Sequence, residues 1–227
     1  MQPPSYLLPR PAFELGPEKQ AAFEDLYRST RKSAEIVYTL PHPKWQFLSY
    51  LCDTKELVLH GSQVLDIAVV EPRKANDVRD YSNQSALYAS TDGIWVIYFA
   101  IVDRRNHPGL SLFNSCLRAR LSPDELSDPF YFFSISQFAL AHKPWCDGMV
   151  YILPRTTFQR EAALQVPDGE IVFPHWISYT PVESLAKLRV GPQDFPFLDR
   201  IHGHNDARLE QLYKSDPGGF PLEALES

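Results

Sequence analysis

The sequence has no apolar run long enough to span a bilayer, which takes about 20 residues as a helix. Its first residues, Met1 to Pro11, are proline-rich and lack a basic segment followed by an apolar run, so they do not read as a signal peptide. An excess of positive charge is missing too. With 22 Lys and Arg against 28 Asp and Glu, the net charge is −6. That balance excludes a broad electrostatic grip on nucleic acid and leaves only a local basic groove open. Glycine is scarce, 10 against 20 prolines, which points to rigid loops and short elements rather than long helices. The three cysteines, Cys52, Cys116 and Cys146, cannot all pair, and none has metal-ligand spacing to another Cys or His. They read as buried thiols of a reducing compartment. The expectation is a soluble, cytoplasmic protein with no membrane contact, no metal and no strong nucleic-acid signal.

What is present is core material. Of the 227 residues, 44% are hydrophobic and 13% aromatic, enough for one large domain or two small ones. Residues 1–16 read as an extended arm. The spacing of Phe23, Leu26 and Tyr27 after Pro17 predicts a helix over 17–34, and Trp45, Phe47, Leu48 and Leu51 predict a second over 43–52. Short strands follow at 57–59, 65–70 and 86–89. Between the last two, residues 71–84 read as a long polar loop. Residues 91–101 are apolar nearly all round, a deeply buried helix capped by Thr91 or Ser90. Strands are expected at 110–121, 130–136, 149–153, 171–173, 176–180 and 186–190, then an apolar plug bounded by prolines at 192–197. With no internal repeat, residues 17–204 read as one domain, and 205–227 as a C-terminal helix and tail. The fold class that follows is α+β.

Two strand ends carry the chemistry. Leu57-Val58-Leu59 runs into His60-Gly61-Ser62, and Leu87-Tyr88 runs into small residues before a Thr91-Asp92-Gly93 turn. A His at one strand end and a Tyr at another can flank one cleft, the imidazole bonding a ribose and the phenol stacking on a flat heterocycle. This pair resembles the first two signature motifs of the ADP-ribosyltransferase superfamily, and its bacterial rifampicin-modifying members more than the large eukaryotic polymerases. The resemblance covers about residues 57–190. It implies a split, mostly antiparallel double sheet with N-terminal helices, and a cleft that takes NAD as substrate. His60 would fix a ribose, and Gly61 and Ser62 would present backbone groups to the nicotinamide carboxamide. Tyr88 would stack on the nicotinamide ring, and Arg73 would hold the pyrophosphate. It implies a catalytic site of His60, Tyr88 and an acid.

The family's acid begins a late strand. The equivalent stretch, Phe173 to Tyr179, contains no carboxylate, so Glu170 just before it is the candidate, with Glu183 just after it the other option. Arg118 and Arg120 share one strand face, which either meets phosphates or is the wet side of a sheet. His202, His204 and Asp206 form a weak metal pattern without a third spaced ligand. The aromatic run 130–133 reads as sheet core rather than a base-stacking platform. The function expected is ADP-ribosyl transfer or NAD glycohydrolysis, with the acceptor unspecified. A catalytically inactive nucleotide- or protein-binding module is the first alternative. The second is an enzyme of the same fold acting on a phosphorylated or nucleoside-like small molecule, which clustering of Arg73, Arg118 and Arg120 would favour.

Overall fold

The computed structural model describes residues 4–32, 34–74, 84–167, 169–216 and 220–225. The centre of the 71–84 loop and parts of the terminal segments lie outside the described residues. In chain order the elements are β1 (Leu8–Pro9), α1 (Pro17–Ser29), α2 (Lys44–Thr54), β2 (Leu57–Ser62), β3 (Val69–Val70), β4 (Arg73–Lys74), β5 (Ser85–Ser90) and α3 (Gly93–Ile101). Then come β6 (Leu112–Ser122), β7 (Glu125–Leu126), β8 (Phe130–Ser136), α4 (Gln137–Leu140), β9 (Gly148–Pro154), β10 (Gln159–Arg160), β11 (Leu164–Val166) and β12 (Gly169–Val172). The chain closes with β13 (His175–Ser178), β14 (Val182–Glu183), β15 (Ala186–Val190), β16 (His202–His204) and α5 (Asp206–Ser215). The class is α+β.

Two mostly antiparallel sheets hold most of these strands, and β3 and β14 pair antiparallel as a separate two-stranded sheet. The first runs β10–β13–β5–β2–β9–β15, with β4 added on β5. The second runs β1–β8–β6–β12–β11, with β7 on β6 and β16 parallel to β8. The two strands carrying the His60 and Tyr88 motifs are therefore neighbours in the middle of the first sheet.

Helix α3 lies between the sheets, which explains its apolar surface on every side. Tyr98 packs its ring 4.8 Å from Phe133 and donates to the Ser134 carbonyl at 2.9 Å, both on β8. On the opposite side Gly61 of β2 meets the helix backbone. Each fully buried Ile or Phe of this kind contributes about 1.5–3 kcal/mol. The cap of α3 is Asp92, not Thr91 or Ser90. One carboxylate oxygen accepts from Ile94 and Trp95 amides at 2.9 and 2.7 Å, and the other accepts from the buried Tyr131 hydroxyl at 2.7 Å. The carboxylate reaches the helix amides and the Tyr131 hydroxyl with two separate oxygens, where a hydroxyl has only one.

Other boundaries moved for local reasons. Helix α1 stops at Ser29, where the hydroxyls of Ser29 and Thr30 turn back to the Leu26 carbonyl. Of the strand expected over 65–70 only Val69–Val70 forms. The chain before it is held by the Tyr151 hydroxyl, which donates to Val64 O and accepts from Ile67 N. The N-terminal arm is docked rather than extended into solvent. Leu8 and Pro9 pair with β8, and Tyr6 stacks on Phe220 at 4.5 Å. The plug at 192–197 buries Phe195 and Phe197 against the aromatic core, and Tyr131, Phe132 and Phe133 are fully buried core residues.

Candidate functional site

Among the described residues β2 and β5 pair at one register position, Leu59 opposite Ser90. Beyond it the strands part, and the His60 imidazole bridges the gap. Its Nδ1 lies 2.7 Å from the Tyr88 carbonyl oxygen. A carbonyl only accepts, so Nδ1 carries the hydrogen. Burial pushes the His60 proton affinity down, the Tyr88 carbonyl pulls it up, and the Arg73 charge pushes it down again, with a net lowering. The ring is therefore neutral near pH 7, and Nε2 is left as a hydrogen-bond acceptor.

A cavity of about 160 Å³ opens here. Its polar lining includes His60, Ser62, Glu71, Arg73 and Lys74, and Tyr88 lies on its wall with Leu87. Four of the residues picked out in the sequence, His60, Ser62, Arg73 and Tyr88, thus meet in one cavity, drawn from three strands. It is smaller than the roughly 300–1,000 Å³ pockets that enclose a drug-sized ligand, so it seats one ring or sugar with its phosphate. Ser62 also accepts the Val64 amide at 3.1 Å, which tightens the turn beneath the cavity.

Three expected roles are corrected. Gly61 does not line the cavity: a methyl group there would strike the Val96 carbonyl oxygen and the Ala100 nitrogen of α3. The glycine admits the helix, not a ligand. Tyr88 meets His60 through its carbonyl, while strand alternation turns its ring toward the other face of β5. There it packs on His175 at 5.4 Å, and its hydroxyl is held by Gln84. Glu170 is not at the cavity. It lies on β12 in the second sheet, bonded to Arg120 and Gln165, and the Arg120 guanidinium holds its carboxyl below the usual range. Glu183 is on β14, ion-paired with Lys32 at 3.0 Å.

Two carboxylates stand closer. Glu71 lines the cavity itself. Glu161, nearly buried, bonds His175 Nδ1 at 3.1 Å, behind the Tyr88 ring. Sequence reading passed over both. Glu71 opened a polar loop, and Glu161 lies 14 residues from the His175 it meets. Only the alternation around Pro72, which puts Glu71 and Arg73 at like spacing, was a signal. Arg73 belongs to this cavity, whereas Arg118 and Arg120 belong to the second sheet, so the three do not cluster.

The remaining candidates are structural. His204 is fully buried, its two ring nitrogens each 2.7 Å from a serine hydroxyl, Ser134 and Ser111, and Asp206 accepts from Ser111 and Ser136. His202 stacks on Phe132. Among the described residues no group of three or more His, Cys, Asp or Glu could hold a metal ion. The thiols of Cys52 and Cys116 are buried, which pushes their proton affinity up, and no cysteine is paired. No helix of the described residues is long and apolar enough to cross a membrane. Compared with protein-family models, curated proteins and solved structures, the chain matches none.

Proposed function

We propose that this protein binds NAD at the His60 cavity and breaks its nicotinamide–ribose bond, passing ADP-ribose to an acceptor or to water. The observation that carries the reading is the meeting of His60, Ser62, Arg73 and Tyr88 around one opening between two central strands. The neutral imidazole offers Nε2 to a ribose hydroxyl. Arg73 and Lys74 offer positive charge to the phosphates, which extend out of a cavity too small for the whole dinucleotide. As nicotinamide leaves, positive charge grows on the ribose. Glu71 is the carboxylate beside it, and it takes the stabilising role that Glu170 does not reach. Tyr88 fixes the imidazole through its carbonyl, while its ring stays on the other face of β5 against His175. The chain is read as a member of the ADP-ribosyltransferase superfamily on the two motifs together with the adjacency of their strands.

Calorimetry with NAD and chromatography of released nicotinamide test this together. Binding lost in His60→Ala, and release slowed in Glu71→Gln with binding kept, support the proposal. Failure of the intact chain to bind NAD ends it. The absence of Glu170 from the cavity favours one second reading, a module that binds the nucleotide and does not cleave it. Binding without nicotinamide release would select that reading.

A further inference from the structure

One residue links the two ends of the His60 cavity. The Tyr88 carbonyl accepts from His60 Nδ1 at 2.7 Å, so the main chain of Tyr88 orients the imidazole. Its side chain acts at the other end. The phenol runs back along β5 to Gln84, four residues earlier. Its hydroxyl accepts from the Gln84 amide at 2.8 Å and donates to the Gln84 carbonyl at 3.0 Å. The Gln84 side chain is held as well, its Oε1 accepting from the Tyr179 hydroxyl at 2.5 Å.

Gln84 leads directly into the part of β5 that carries β4. Arg73 pairs with Ala86 and Lys74 with Ser85, and both cations line the cavity. A strand pair of two residues is marginal by itself, so the place of β4 depends on how firmly residues 84–86 are set. The ring that sets them is fixed from behind. It packs on His175 at 5.4 Å, and His175 in turn is held by Glu161 at 3.1 Å and meets Trp95 edge to face at 5.6 Å.

The imidazole and the cations are thus both referred to Tyr88, the first through its carbonyl and the second through its hydroxyl. We propose that Tyr88 is a positioning residue that sets the spacing between His60 and the Arg73–Lys74 pair. The site then selects ligands that carry a phosphate at a fixed distance from the ribose. The inference rests on the NAD reading of this cavity. It gives the Tyr88 side chain a role that its direction, toward His175 and Gln84, allows. A guanidinium fork bonds a phosphate well only when its position is set, and the loss of one such charge-assisted contact is worth about tenfold in affinity.

The test uses the full chain and Tyr88→Phe, which keeps the ring and the carbonyl and loses only the hydroxyl. Calorimetry compares NAD with nicotinamide riboside, which has the ribose and no phosphate. In Tyr88→Phe NAD should bind about tenfold more weakly, while the riboside binds as it does to the intact chain. In a background of Arg73→Ala and Lys74→Ala the same change should cost less than about twofold, because its effect passes through those cations. Equal weakening of both ligands, or no weakening of NAD, overturns the proposal. Tyr179 is exposed, so Tyr179→Phe keeps the fold; it should weaken NAD in the same direction and decides the matter should Tyr88→Phe not fold. Hydrogen exchange without ligand separates this inference from the NAD reading. In Tyr88→Phe the amides of Gln84 and β4 should exchange about tenfold faster. Failure of the intact chain to bind NAD ends the NAD reading. Exchange then judges the positioning alone: faster exchange keeps Tyr88 as the group that sets β4, and unchanged exchange overturns it.

Discussion

Gly61 sits inside the motif that a nucleotide reading leans on, and its substitution separates packing from ligand approach. In Gly61→Ala the new methyl meets the carbonyl oxygen of Val96 and the amide nitrogen of Ala100, both in the backbone of α3. A side chain could rotate away, but a helix backbone held between two sheets cannot. Overpacking of this sort costs about 2–3 kcal/mol, and for a chain of this length each kcal/mol is worth roughly 2–4 °C, so the melting temperature should fall by about 5–10 °C. Thermal and urea unfolding followed by circular dichroism measure the two quantities. A second variant sharpens the test. Val96→Ala removes a valine methyl that lies 3.3 Å from where the new Cβ would sit, but leaves the Val96 carbonyl in place. The double variant should show coupling below about 0.5 kcal/mol, because the obstruction is the main chain. A Gly61→Ala loss under about 0.5 kcal/mol, or full recovery in the double variant, would refute the packing account and return Gly61 to the ligand.

Other outcomes follow from the same geometry. Asp92→Ala removes the α3 cap and strands the buried Tyr131 hydroxyl, a loss of about 3–4 kcal/mol in urea unfolding, with Asp92→Asn milder; equal effects from the two would argue against the double role. Glu170→Gln should leave NAD binding and nicotinamide release untouched and change stability by less than about 1 kcal/mol, as expected of a partly exposed ion pair; a collapse of turnover would restore it as the acid. His60, His202 and His204 all hold protons less tightly when folded, with burial the main cause. The unfolded chain then takes up these protons first as pH falls below about 6.5, so stability is full above that pH and declines beneath it, by up to about 1.4 kcal/mol per pH unit for each histidine. Urea midpoints measured through that window should drop, and flat midpoints would show the three rings to be ordinary.

The sheet-forming segments were legible because a strand leaves its mark on adjacent residues. The alternation from Leu112 onward and the apolar run Phe130–Ser136 need no distant partner to be read, and β8 and β15 formed at the expected bounds. The apolar girth of α3 likewise announced burial on every side before any layer was known. His60 was visible for the same local reason, a polar side chain where an apolar strand ends. Its partners were not. Glu71 reaches the cavity only because Arg73 and Lys74 add to the edge of β5, a pairing set by sheet assembly. Glu170 went elsewhere because its hairpin with β11 joined the second sheet, where Arg120 held it.

Local propensity and periodicity therefore determined the class, most of the strands, the buried helix and one imidazole. Tertiary structure decided which carboxylate shares a cavity with that imidazole, why position 61 is glycine, and which arginine reaches the cavity. Those outcomes depend on contacts between segments far apart in the chain, and such contacts exist only once two sheets have closed around a helix.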